Sequence, residues 1–320
     1  MENKNMSRLI IIPQYPAKLR YQEWWFTEFP RRFSAYFSEV LLLGRNVMEK
    51  QKRADISSFS PAMESMAFEA MLIEEYNQLT LKKDDTLLLC DLSYPGIFPM
   101  FLLHKRPDKC FAICHATSLN RYDYFSKVRT IKYPIEKAVA KLFVKVFVAS
   151  EYHKRKLGWG NIIVQPLPDS PFYSLLKYSK NRIYNLVSVS RSSKQKVTYK
   201  LEKKLQRDLN QTIVRPTPYS WEDYYNFLSR SKILVITSKE ETFGYQVLDA
   251  VNNGCIPIAP NGMSYSELLP KVYLYDSYEE LKEKILKGLR GELPVPEILK
   301  EEQIKIQNFY ENVSNILKNE

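Results

Sequence analysis

SKEETFGYQVLDAVNNGCIPIAP (residues 238–260) places two acids, Glu241 and Asp249, eight positions apart around the pair Phe243-Gly244. The residues just before it, 233–236, are a run of branched apolar side chains, and residues 256–259, Ile-Pro-Ile-Ala, are a second apolar run. Both runs read as buried strands, and 244–252 between them reads as a helix. Residues 238–244 then form the loop from a strand's carboxyl end to a helix N-terminus, where free backbone N–H groups favour an anion. Gly244 lets a ligand approach the backbone closely. Glu241 suits either a cap on that helix or a ligand contact. Eight residues at about 100° each leave Asp249 about 80° round the helix, near enough for both acids to meet one extended ligand.

The same alternation extends outward in both directions. Short apolar runs at 9–12, 40–43, 86–90, 110–114 and 144–149 read as strands of a parallel sheet, with helical patterns at 23–37, 65–79 and 134–143 between them. A second series has strands at 184–190, 212–214, 233–236 and 256–259, and helices at 197–208, 220–230, 244–252 and 278–289. Strand alternating with helix, twice over, predicts two doubly wound α/β domains facing a cleft, with ligands at the carboxyl ends of the strands. The proline-rich segment QPLPDSPF (165–172) is the natural hinge. Residues 1–168 are expected to form one domain and 169–295 the other. The tail, 296–320, is expected to be a long helix packing back on the first domain.

The 320 residues have the composition of a globular protein, 45% hydrophobic and 26% charged. No apolar run reaches the ~20 residues of a membrane span, and the N-terminus lacks the pattern of a signal peptide. A cytoplasmic protein is expected. Cys90, Cys110, Cys114 and Cys255 lie in strand-like surroundings without metal-ligand spacing, so buried free thiols are the simpler reading. The formal charge of +11 is concentrated: residues 101–156 carry thirteen Lys/Arg against four acids. Such a stretch marks either a polyanion or anionic-surface footprint, or a solvated basic face.

Glu241-x7-Asp249 with Phe243-Gly244 resembles the E-x7-E motif of retaining GT-B glycosyltransferases of the family 4 type, with Asp in place of the second Glu. Ser238, Gly254 and Pro257 fit the same pattern. Arg191 with Lys196 five positions on, after the strand ending near Ser190, is similar to that family's R-x4-K. His115, at the end of the strand 110–114, matches its cleft histidine. The resemblance implies a GT-B fold of two Rossmann-like domains and a nucleotide-sugar donor, a UDP- or GDP-sugar, with no other cofactor. It implies that Arg191 and Lys196 hold the diphosphate, with Ser238, Thr242, Phe243 and Gly244 in the donor loop. Glu241 then meets the donor sugar, Asp249 the ribose, and His115 braces the sugar or assists the acceptor. No Asp-x-Asp occurs, which agrees with metal-independent transfer of a hexosyl or pentosyl group with retention.

The acceptor side departs from the family. The loop PQYPAKLRYQ (13–22) has prolines where relatives carry glycines, so Lys18, Arg20 and Tyr21 become candidate acceptor contacts, with Arg121, Lys127 and Arg129 from the basic stretch. The aromatic segment from Tyr21 to Phe37 suits core packing, base stacking or a membrane interface. Two features favour nucleic acid. GCIPIAP (254–260) followed by YSELLP (265–270) is similar to the tRNA-queuosine mannosyltransferase branch. The positive charge is also spread over strands, loops and helices, not gathered on one amphipathic helix. The expected acceptor is a modified base in DNA, as in viral enzymes acting on hydroxymethylated pyrimidines, or in RNA. The alternatives are a lipid-linked or surface glycan, with peripheral contact to an anionic membrane, and a non-catalytic binding protein of the same fold.

Overall fold

The computed structural model describes residues 8–45, 61–122, 124–173, 181–190, 197–217 and 220–320. In the first half, β1 (Arg8–Ile12), β2 (Glu39–Leu42), β3 (Thr86–Leu89), β4 (Lys109–Ile113), β5 (Lys145–Val148) and β6 (Ile162–Val164) pair in the order β2-β1-β3-β4-β5-β6, all parallel. The helices between them are α1 (Tyr21–Phe33), α2 (Pro61–Asn77), α3 (Phe98–Phe101), α4 (Arg129–Ala140) and α5 (Glu151–Leu157). Leu9, Ile10, Ile11 and Ile12 are all fully buried, as expected where helices cover both faces of a parallel sheet.

The second half repeats the plan. Strands β7 (Tyr184–Val187), β8 (Ile213–Val214), β9 (Ser231–Val235), β10 (Ile256–Pro260) and β11 (Leu274–Tyr275) form a parallel sheet in the order β11-β10-β9-β7-β8. Its helices are α6 (Tyr199–Leu209), α7 (Trp221–Ser229), α8 (Tyr245–Asn252), α9 (Tyr265–Leu268) and α10 (Tyr278–Leu289). Each sheet reverses its winding once, between β1 and β3 in the first and between β7 and β9 in the second. The loops leaving those strands face each other, which is where an open α/β sheet holds ligands.

The tail is not one long helix. It breaks at Asn308 into α11 (Lys300–Gln307) and α12 (Phe309–Asn319). The break turns Phe309, Val313 and Leu317 inward, all fully buried, whereas Ile304 is left exposed. Phe309 and Tyr310 pack on Phe29 at 5.7 and 5.8 Å between ring centroids. Lys109 Nζ donates to the Lys318 carbonyl at 3.0 Å, so the end of the chain lies along the first sheet. Strands β6 and β11, of three and two residues, are not among the runs read from the sequence, although the equally short β8 is. The four cysteines are free and buried, and burial pushes their thiols up.

Candidate functional site

The cleft between the sheets holds two cavities, of about 440 and 320 Å³, that share walls at Arg20, Tyr21, Ser190, Tyr224, Tyr245 and Asp249. Second-domain loops after β7 and β9 supply one wall, and the loop after β1 and the end of β4 supply the other.

Glu241 sits in the loop after β9 and lines the smaller cavity. Its Oε1 accepts from the backbone N–H groups of Thr242 at 2.9 Å and Phe243 at 3.3 Å, so the carboxylate is fixed by its own loop. Gly244 follows with φ +105°, a conformation L residues rarely adopt, and this sharp turn starts α8. A Cβ there would lie 3.2 Å from Leu268 Cδ1 and 3.3 Å from Tyr265 Cε1. Ser238 accepts from Gln246 Nε2 at 3.2 Å, and Gln246 Oε1 takes the Ser190 hydroxyl at 3.0 Å. The loops after β7 and β9 are thereby tied together.

The first domain grips the same loop. Thr242 Oγ1 donates to the His115 carbonyl at 2.7 Å, and Ser150 Oγ donates to the Thr242 carbonyl at 2.7 Å. Lys156 pairs with Glu240, whose other oxygen accepts from Tyr122 N. Glu267 accepts from the N–H groups of Glu151 and Tyr152, both at 2.8 Å, at the start of α5. His115 lines the cavity with Glu241, and its Nε2 lies 3.0 Å from the Cys90 carbonyl. A carbonyl only accepts, so Nε2 carries the proton and Nδ1 keeps a lone pair. Burial holds this imidazole down to about 4, keeping it neutral near pH 7.

Asp249 is buried, at the junction of both cavities. Its Oδ1 accepts from Tyr173 at 2.7 Å and Tyr225 at 3.3 Å, and its Oδ2 accepts from Tyr224 at 2.9 Å. Burial pushes the carboxyl up to about 6, and the three phenols pull the other way. The shortened arm is therefore caged by tyrosines, with one acceptor position of Oδ2 left over by lone-pair count.

Of the expected acceptor residues, Lys18, Arg20 and Tyr21 line the larger cavity together with Asp249, so they share that cavity and do not form a separate surface. Their loop turns through Leu19 at φ +55° and is pinned by Glu23, whose Oε2 accepts from Leu19 N at 2.7 Å and from Trp221 Nε1 at 3.0 Å. Arg121, Lys127 and Arg129 line neither cavity and are exposed. Arg191 and Lys196 lie outside the described residues. The aromatic segment is mostly core: Trp24, Trp25, Phe29, Phe33 and Phe37 are buried, which rules these rings out as an exposed stacking platform. Tyr21 and Trp24 alone among that segment's rings line the larger cavity.

Besides the tyrosines around Asp249, another cleft residue escaped sequence reasoning. Arg215, just past β8, lines the larger cavity, held by Glu202 at 2.6 and 2.8 Å and donating to the Ser190 carbonyl at 2.7 Å. A cation directly after a short strand was its signal. Among the described residues, no cluster of three or more His, Cys, Asp or Glu suits a metal ion.

No family model matches the chain. A tRNA-queuosine alpha-mannosyltransferase of Drosophila melanogaster is 31% identical over 108 residues, which is 34% of this chain and 27% of that protein. Among solved structures, an alpha,alpha-trehalose-phosphate synthase (UDP-forming) from Burkholderia xenovorans superposes with a TM-score of 0.63 at 11% identity, covering 98% of this chain and all of that one. The lipopolysaccharide outer core galactosyltransferase WaaB gives 0.59 at 13% identity, with 98% of each chain covered. These likenesses establish the fold as GT-B, the two-domain architecture of many glycosyltransferases.

Proposed function

We propose that this GT-B chain transfers a sugar from a nucleotide-sugar donor to a hydroxyl acceptor. One observation carries the reading: Arg20 and His115, from the first domain, line one interdomain cleft with Glu241 and Asp249 of the second. In this reading Arg20, Lys18 and Arg215, with Arg191 and Lys196, surround the diphosphate, since guanidinium and ammonium groups match phosphate oxygens. The UDP and UDP-forming chemistry named for several structural relatives supports a UDP-sugar, with a GDP-sugar as the other candidate. Fixed positive charge around the departing nucleotide is then the main catalytic term and needs no metal. Glu241 meets the donor sugar beside Thr242, Phe243 and Gly244, and the Asp249–Tyr224 pair faces the ribose. His115 offers the Nδ1 lone pair to the sugar or acceptor hydroxyl. Front-face transfer with retention, of a hexosyl or pentosyl group, goes with the likeness of the motif.

For the acceptor, a modified base in nucleic acid is supported by the tRNA-modifying relative, whose similarity covers a third of the chain. A lipid-linked glycan is the second reading, favoured by an exposed aliphatic stripe on α4. Replacing Glu241 by Ala tests the core of the proposal. Transfer should fall by about 10²–10³-fold, while calorimetry finds nucleotide affinity nearly unchanged. Turnover at the native rate would show that Glu241 is no part of the site.

A further inference from the structure

Helix α4 and the short helical turn before it (Tyr124–Val128) expose an apolar stripe that the fold does not use. Val128, Ile131 and Ile135 are 46%, 70% and 42% exposed. Spaced three and four apart, they lie along one side of the helix. The adjoining side is anchored inward. Lys132 Nζ donates to the carbonyls of Ser93 at 2.7 Å and Pro95 at 3.0 Å, and buried Glu136 accepts from Ser118 N and Oγ. Met100, Phe101 and Leu103, at the end of α3, are exposed as well. The segment carrying Ser93 and Pro95, which Lys132 holds, leads directly into α3.

Charge decides what covers this stripe. Lys127 is exposed next to the stripe, Arg129 and Lys137 are exposed farther round the same helical segment, and the one acid of α4, Glu136, is buried. Exposed branched aliphatics gain by leaving water, yet they neither stack on bases nor bond phosphates, so a nucleic acid would leave them unused. A second copy of the chain would set like charges against like. An interface with an apolar interior and an anionic rim satisfies both kinds of side chain, and that describes an anionic bilayer.

We infer that the exposed face of α4 docks this protein on an anionic lipid surface. The loop that leads into α4 carries Asn120 on the wall of the smaller cavity, so docking presents the acceptor side of the cleft to the membrane. The inference adds a partner to the proposed enzyme and needs only the first domain's surface. Failure of donor binding, read by calorimetry, would leave it standing.

The test is flotation of the full chain with vesicles of equal parts phosphatidylglycerol and phosphatidylcholine, and with phosphatidylcholine alone. The native protein should favour the anionic vesicles by about tenfold or more. The double variant Ile131→Glu/Ile135→Glu, both on the solvent side, should melt like the native chain and lose binding by about tenfold. Lys127→Gln/Arg129→Gln should erase the preference between the two vesicles. Native protein that stays unbound, or a double-glutamate variant that floats as well as the native chain, overturns the inference. So does a loss of tRNA or duplex DNA affinity in these variants with vesicle binding intact, which would assign the face to nucleic acid.

Discussion

The two walls of the cleft are built by opposite means. On the second-domain side, one continuous stretch makes the part of the wall that carries Glu241: β9 ends, Glu241 caps its own loop, Gly244 turns at φ +105° and α8 begins. On the first-domain side the wall is assembled from a distance. A loop without glycine takes the left-handed turn at Leu19, and it is fixed by Glu23, which also takes the Trp221 indole N–H from the other domain. The Glu241 loop is shaped by its own backbone, with side-chain ties added across the cleft, whereas the first-domain loop depends on side-chain ties from Glu23. A motif survives in a single sequence only in the first case.

That contrast breaks most sharply at Gly244. A side chain there meets both a forbidden backbone conformation and the side chains of Leu268 and Tyr265 at 3.2–3.3 Å. Gly244→Ala should cost about 2–3 kcal/mol in urea unfolding and weaken turnover as Glu241 and Thr242 shift. A change below about 0.5 kcal/mol, within the ordinary range of surface substitutions, would mean that the loop relaxes and that its rigidity is not geometric.

Asp249 comes next, because its cage joins the two kinds of wall: Tyr173 lies past the proline-rich connector, and Tyr224 and Tyr225 come from α7. Its carboxyl is raised by burial from 3.8 to about 6. An acid raised on folding binds more protons in the folded state between those values. Its stabilisation is complete below the unfolded value, is lost as pH rises through about 6, and is level above. A shift of about two units corresponds to about 3 kcal/mol. Asp249→Asn removes this titration, so the native protein's stability advantage over the variant should shrink by up to about 3 kcal/mol between about pH 4 and about pH 8. Glu69 is also raised but is present in both proteins and cancels in the difference; Asp169, raised as well, repels Asp249, so the variant relieves part of its shift and Asp169 adds to the pH dependence of the gap. A gap independent of pH would show that Asp249 does not titrate in this window.

How much was legible follows the same division. The two sheets, the cleft and the loop carrying Glu241 could be read because each rests on a local pattern: branched apolar runs, helical spacing, a glycine before a helix. The tyrosine cage could not, since nothing in the neighbourhood of Asp249 announces that α7 and the connector will aim three phenols at it. Arg215 was equally hidden; its place depends on Glu202, thirteen residues upstream on another element. The aromatic segment after the first loop was read as open between core, base stacking and a membrane interface. Burial of Trp25, Phe29 and Phe33 assigns it to the core, while the exposed aliphatics turned up on α4 instead. Composition cannot tell an inward ring from an outward one, because helical spacing is the same for both.

The mildest test lies in the first-domain loop. Leu19 pays for its φ of +55° with strain of about 1 kcal/mol, since an L side chain crowds the carbonyl in the left-handed region. Leu19→Gly relieves that strain, keeps the backbone N–H that Glu23 accepts, and adds an unfolded-state entropy cost of about 0.5–1 kcal/mol. The two effects oppose, so stability should move by less than about 1 kcal/mol in either direction. Function should respond more than stability. Arg20 and Lys18 hang from this turn, and a looser backbone places their charges less well, so nucleotide affinity measured by calorimetry should fall by a factor of about two to five. An affinity equal to the native one would show that the Glu23–Trp221 tie alone positions the loop, and that the left-handed leucine is incidental to it.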